Sequence, residues 1–206
     1  MPGAGDRLAV HGALTLDGAS FDARWLGAVV RRDGLITPCQ LGLSPVDHGR
    51  YEITVLADAE ASGCGAPGAD VLLWAYRDRQ IYTIAALAWP SNADIAEFNA
   101  SLSTAAPGGA VPPLTQFSGE VFTRDGDRLP PGTRVEVFVG GVRCGVASTR
   151  RTGNFSGYIL AVVGPDSVAG CDRGATLTFY IDGNRAVETA INDPERSGGA
   201  FDLTLP

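Results

Sequence analysis

The sequence contains no lysine; its 16 basic residues are all arginine. That absence excludes Schiff-base catalysis and the lysine of a phosphate-binding loop. It also excludes lysine-based isopeptide crosslinks. Histidine is scarce, with His11 and His48 the two examples, and no cysteines stand in CxxC spacing, so no metal site is expected. No apolar run reaches the length of a membrane span, and no membrane insertion is expected. Residues Met1-Pro2-Gly3-Ala4-Gly5-Asp6 have neither the basic start nor the apolar stretch of a secretory signal. The net charge of −7 argues against binding along a nucleic-acid backbone.

What is present is a pattern stated twice. Gly12, Tyr51 and Gly63-Cys64 return as Gly119, Tyr158 and Gly170-Cys171, each 107 positions later. Each copy holds two of the four cysteines. Four cysteines allow three pairings; the doubling favours Cys39–Cys64 and Cys144–Cys171, the alternative being four reduced thiols in the core. Closing a loop of about 25 residues would restrict the unfolded chain by roughly 3 kcal/mol in the entropy model. Disulfides would place the chain in an oxidising compartment, as the mature or excised piece of a longer exported protein.

The chain divides into a module over residues 8–103, a Pro/Gly-rich linker over 104–114 and a second module over 115–206. With 27 glycines and 13 prolines, short strands joined by turns are expected. In the second module Thr133 to Val139 alternates, with valines on one face, and Gly140-Gly141 turns into Val142-Arg143-Cys144. Leu177 to Ile181 alternates again, turns at Asp182-Gly183-Asn184 and returns as Ala186 to Ile191. With Phe117 to Thr123, Phe155 to Val163 and Phe201 to Leu205, seven strands result. The first module follows the same order through Leu14–Leu16, Leu26–Arg31, Tyr51–Val55, Val71–Tyr76 and Ile81–Leu87. The one helix candidate is Asn92 to Asn99. The predicted fold is all-β: two tandem immunoglobulin-like, seven-stranded β-sandwiches.

The second module resembles small bacterial β-sandwich repeats of surface proteins, the carboxypeptidase-regulatory-like and collagen-adhesin B-type group. The residues that carry the resemblance are Gly119, Asp125-Gly126 and Pro131-Gly132-Thr133-Arg134-Val135. After them come Thr152-Gly153-Asn154-Phe155-Ser156-Gly157-Tyr158 and Val162. The first module shares it more weakly. The resemblance implies a stalk, spacer or adhesive unit of an exported protein. The chain departs from crosslinked adhesin repeats in lacking lysine, and a cysteine pair per module would supply the staple instead.

Candidate chemistry is sparse, and no catalytic residue or cofactor is assigned. Asp47-His48 could pair a base with its orienter, but no nucleophile motif accompanies it, and a polar turn is the plainer reading. Asp125-Gly126-Asp127 and Asn192-Asp193-Pro194-Glu195 offer too few ligands for a cation cage and read as turns. Asn99-Ala100-Ser101 and Asn154-Phe155-Ser156 fit the glycosylation pattern by chance in a bacterial chain.

The aromatic distribution says more. Trp25, Trp74 and Trp89 all fall in the first module. In the second, Leu177, Phe179 and Ile181 should face the core, leaving Thr178, Tyr180, Asp182 and Glu188 outward. The same register in the first module turns Val71, Leu73 and Ala75 inward. Leu72, Trp74 and Tyr76 then face out, joined by Tyr82 and Ile84, where the twin is polar. A contiguous patch of that kind calls for a cause. It could meet another chain, stack sugar rings, or lie beneath the Pro90–Ala100 segment. The expectation is a non-enzymatic structural or adhesive module that meets a protein partner or a second copy. A carbohydrate-binding module or an accessory domain of a secreted hydrolase is the alternative.

Overall fold

The alternation read in the sequence becomes a set of short strands in the computed structural model, which describes residues 7–40, 44–78, 80–90, 95–102, 114–152, 155–196 and 200–206. In the first half they are β1 (Leu8–Leu16), β2 (Ala19–Ser20), β3 (Ala23–Arg32), β4 (Leu35–Pro38), β5 (Ser44–Val46), β6 (Arg50–Val55), β7 (Asp70–Arg77), β8 (Gln80–Ala88), β9 (Ile95–Glu97) and β10 (Ala100–Leu102). In the second they are β11 (Thr115–Gly119), β12 (Val121–Phe122), β13 (Arg134–Val139), β14 (Val142–Ser148), β15 (Arg150–Thr152), β16 (Phe155–Val162), β17 (Thr176–Ile181), β18 (Asn184–Ile191) and β19 (Leu203–Thr204). A single 3-10 turn, Pro194–Arg196, is the one helical element among the described residues. No helix among them is long and apolar enough to cross a membrane. The helix candidate at Asn92–Asn99 is corrected where it is described. Ile95–Glu97 is a strand parallel to β1, because Ala96 there pairs with Val10. Residues 92–94 and the 104–113 part of the linker lie outside the described residues.

Two compact units result. The first comprises 1–32, 39–60 and 64–111. Its β1 pairs antiparallel with β6 and parallel with β9 and β10, while β7 lies between β3 and β8. Leu8, Val10, Leu26, Ala28, Val30, Ile53, Val55, Val71, Leu73 and Ala75 are buried and form its core. The second unit comprises Asp33–Pro38, Ala61–Gly63 and Pro112–Pro206. One of its sheets runs β14-β13-β17-β18 and another β11-β16-β15. The expected strand Phe117–Thr123 breaks at Glu120, so β11 pairs antiparallel with β16 while β12 pairs parallel with β19. The rings of Phe117, Phe179 and Phe201 meet at 5.2–5.4 Å between centroids in this core.

Within the second unit β4 is buried along its whole length. Thr37 Oγ1 donates to the Val146 carbonyl at 3.3 Å, and Ser62 N to Ser148 Oγ at 2.9 Å. The Arg150 guanidinium donates to the Pro38 carbonyl at 2.7 Å, and burial lowers its pKa. Asn192 is buried, donates to the carbonyls of Val163 and Cys171 and accepts from Thr115 Oγ1 at 2.7 Å. It is therefore a latch on the loop that carries Cys171 rather than a cation ligand. The hairpin turn at Asp182-Gly183 has φ of 47° and 82°, the left-handed pair that a right-twisted two-residue hairpin requires.

The cysteines join as Cys39–Cys64 and Cys144–Cys171, with Cα atoms 5.6 Å apart in each pair. All four are fully buried.

The doubled glycine and tyrosine acquire a physical reason. Gly12 lies opposite Tyr51 in the β1–β6 ladder. A Cβ on Gly12 would collide with the Phe98 carbonyl oxygen. That carbonyl accepts the Tyr51 hydroxyl at 2.5 Å. Phe98 N donates to the His11 carbonyl at 2.8 Å, and Ala13 N donates to Asn99 Oδ1 at 2.7 Å. In the second unit Gly119 lies opposite Tyr158, and a Cβ there would strike the Phe201 carbonyl oxygen. Tyr158 Oη donates to that carbonyl at 2.5 Å, Phe201 N to Ser118 O at 2.8 Å and Glu120 N to Asp202 Oδ1 at 2.8 Å. In each unit the bare glycine admits a late carbonyl, and a buried tyrosine holds it there.

Burial pushes the Tyr51 hydroxyl up from its ordinary 10.0 to about 12. Tyr158 is raised further, by burial first and then by the Asp202 and Glu188 carboxylates. The hydroxyl donates only while protonated. Above pH 10 the unfolded chain loses the Tyr51 proton while the folded chain keeps it. The contribution is therefore complete below that pH and disappears as pH rises toward 12. All three tryptophans lie in the first unit, so their fluorescence follows its unfolding. Tyr51→Phe is expected to cost about 1–2 kcal/mol in urea unfolding at neutral pH and to flatten the alkaline loss of stability. Equal stability of the two proteins at neutral pH would contradict the clasp.

Candidate functional site

The register of β7 decides what the first unit shows on the side of this sheet away from its core. Val71, Leu73 and Ala75 are fully buried, and Leu72, Trp74 and Tyr76 are half-buried on the other side. The cross-strand partners on β3 complete a ladder. Trp25 stands opposite Tyr76, Gly27 opposite Trp74, Val29 opposite Leu72 and Arg31 opposite Asp70. The last rung is an ion pair at 2.8 Å. The surface therefore grades from aromatic to aliphatic to charged.

Gly27 sets the pose of Trp74. A Cβ at Gly27 would overlap the indole ring atoms, so the indole covers the glycine backbone. An aromatic ring laid over a strand glycine restores packing that glycine lacks. Trp25 is 37 % exposed, with the Arg24 guanidinium carbon 5.4 Å from its ring centroid. Trp89 covers Gly65, next to Cys64, by the same device. Trp25 belongs to the ladder although alternation along β7 alone does not reveal it. The usable signal was its place beside the buried Leu26, which leaves Trp25 pointing away from the core.

Tyr82 departs from expectation. The β7–β8 register shifts between Leu72 and Trp74, and Tyr82 falls opposite the buried Ala75. Its ring meets the fully buried Phe21 edge-on at 5.0 Å. It stands on the inner side of the sheet, not with Trp74. The Ile84 side chain lies outside the described residues, so its expected place on the face is not described. In the second unit a two-residue shift, which leaves faces unchanged, separates Thr178 from Tyr180, and Glu188 does not stand free on the surface. Its carboxylate accepts the Thr204 amide at 2.8 Å. The outward surface there is also less polar than its sequence suggests, because Phe138 and Tyr180 meet edge-on at 5.2 Å. Glu136 beside them pairs with Arg134 at 2.7 Å and Arg143 at 3.1 Å.

The remaining candidates fall in turns. His48 Nδ1 lies 3.0 Å from Asp47 Oδ1, with both side chains at least 81 % exposed, in a hairpin turn where His48 takes a φ of 51°. Asp125 and Asp127 are exposed in a turn closed by Gly126 N on the Thr123 carbonyl at 3.0 Å. Among the described residues no three His, Cys, Asp or Glu side chains cluster as metal ligands. The Asn99 amide is engaged by Ala13 N and Glu97. Asn154 lies outside the described residues.

No protein-family model matches the chain. No curated protein matches it. Among solved structures it is similar to a leucine-rich repeat protein from Bacteroides thetaiotaomicron, at 9 % identity and a TM-score of 0.34 over 98 % of this chain and 26 % of that one. It is similar to the shaft pilin spaA from Lactobacillus rhamnosus GG at 8 % identity and a TM-score of 0.29, covering 98 % of this chain and 97 % of the pilin. A streptococcal ancillary pilin gives 9 % identity and a TM-score of 0.29 over 97 % of this chain and 62 % of that one. The chain thus spans about a quarter of the leucine-rich repeat protein. At these scores the likenesses carry no functional argument.

The ladder has a direct check. Gly27→Ala must push the Trp74 indole off the strand. Expected are a red shift of tryptophan emission and a loss of about 1–3 kcal/mol in first-unit stability. Unchanged emission with unchanged stability would show that Trp74 does not rest on Gly27.

Proposed function

We propose that this chain is a non-enzymatic structural or adhesive module of an exported bacterial cell-surface or extracellular protein. It is read as a tandem pair of immunoglobulin-like sandwiches, 8–103 and 115–206, of the kind its sequence resembles. Two buried disulfides support an oxidising compartment. The contact face is the ladder of the first unit, with Trp25, Leu72, Trp74 and Tyr76 meeting another polypeptide, a second copy included. One observation carries this reading: the Trp25–Tyr76 rung beside an indole that covers Gly27. Aromatic side chains held in one pose give up little entropy on binding and dominate contact energy.

The flat indole also favours a second reading, a stacking platform for sugar rings. One pair of measurements separates the two. Sedimentation velocity of the wild type against a Trp25→Ser/Tyr76→Ser double variant should show self-association weakened about tenfold or more in the variant. Equal association of both proteins would remove the protein-contact reading. Saturable quenching of tryptophan fluorescence by a polysaccharide, lost in the same variant, would establish the glycan reading instead.

A further inference from the structure

Two short runs of the second unit, Asp33–Pro38 and Ala61–Gly63, come from early in the chain, and the rest of it from Pro112–Pro206. Both runs are interior parts. Side chains alternate across β4, yet all four of its residues are buried, so the strand is covered on both sides. Ala61 and Gly63 are buried as well. A Cβ on Gly63 would collide with the Val146 side chain and stand 2.9 Å from Thr37 Oγ1, so the two runs lie against each other and against β14. A Cβ on Gly34 would stand 2.7 Å from the Ser167 carbonyl oxygen, on the loop that leads to Cys171. One stretch receives both runs: Thr37 Oγ1 donates to the Val146 carbonyl, the Ser62 amide to Ser148 Oγ and the Arg150 guanidinium to the Pro38 carbonyl. Val146, Ser148 and Arg150 are alternate residues, so these pairs line one short length of chain. Releasing either run would leave buried polar groups unmatched.

Runs this short pay an ordering cost that their few contacts must offset. Their ends are fixed covalently. Cys39 follows Pro38 and Cys64 follows Gly63, and these two cysteines are bonded across a separation of 25 residues, with Cα atoms 5.6 Å apart. In the unfolded chain the bond already keeps the ends of both runs together, so the second unit takes them up as one piece instead of two. We propose that Cys39–Cys64 is a structural crosslink of the second unit, presenting Asp33–Pro38 and Ala61–Gly63 as one preassembled insert to residues 146–150. The second unit then depends on a disulfide that its own main stretch of sequence lacks, and Cys144–Cys171 alone does not complete it. The dependence stands on its own observations, whatever meets the aromatic ladder.

Native-state amide exchange on the full chain tests it, read at Val137 and Phe179, which are fully buried in the second core. Cys39→Ala/Cys64→Ala, with Cys144–Cys171 intact, should speed exchange at both about tenfold or more. Leu73→Ala is the control, because it opens a cavity in the first core and leaves the crosslink in place. It should lower first-unit stability, followed by tryptophan fluorescence, and leave exchange at Val137 and Phe179 as in the wild type. Unchanged exchange in the cysteine variant, or equal acceleration in Leu73→Ala, overturns the proposal. Ser148→Ala tests the same docking with both disulfides formed, should the cysteine variant not fold. Loss of the acceptor for the Ser62 amide should speed exchange at Ser62 and Val137 about tenfold. Undiminished protection at Val137 in that variant overturns the proposal as well.

Discussion

A carbonyl oxygen held between a bare glycine and a buried tyrosine hydroxyl is the contact on which each unit turns. Phe98 and Phe201 each bring their backbone into a space that any side chain on Gly12 or Gly119 would fill. The hydroxyls of Tyr51 and Tyr158 satisfy the carbonyls there, and the neighbouring amides are satisfied by the first strand and by Asn99 or Asp202. Each group is costly to bury alone and inexpensive to bury together. The arrangement fixes a late segment of each unit alongside its first strand. In the second unit the same segment contributes the Phe201 ring to the core formed with Phe117 and Phe179.

Half of this arrangement was legible in the sequence. Gly12 and Gly119, and Tyr51 and Tyr158, repeat at one spacing because each pair sits in one β ladder with no insertion between the copies. The carbonyl partners were not legible. Tyr51 and Phe98 are 47 positions apart but Tyr158 and Phe201 only 43, so the third member drops out of a fixed-period comparison. Backbone acceptors also leave no residue-type signature, and only Phe98-Asn99 against Phe201-Asp202 hinted at the match.

The same logic explains where face assignments held and where they failed. Alternation in β7 and β17 placed Val71, Leu73, Ala75, Leu177, Phe179 and Ile181 inward, and all six are fully buried. Those strands lie between two neighbours, and a one-residue slip would exchange their faces. The partner strands β8 and β18 each contain a register shift, which periodicity cannot show. The one-residue shift in β8 carries Tyr82 inward to Phe21, whereas the two-residue shift in β18 preserves faces, so Glu188 follows the inward alternation of its strand and turns to Thr204 while Val187 stays in solvent. What the two units share is the clasp and the buried disulfide. What they do not share is surface: a graded aromatic ladder in the first, and in the second an edge strand, β18, whose exposed side chains are Arg185, Val187, Thr189 and Ile191.

Native-state amide exchange of Ala13 and Phe98 in Tyr51→Phe measures the clasp most directly. If the hydroxyl holds the late segment in place, both amides lose protection together, while core amides of β7 such as Leu73 exchange as in the wild type. Undiminished protection at Ala13 and Phe98 would mean that the segment is held by packing alone, and the clasp would not be the constraint on which the unit depends.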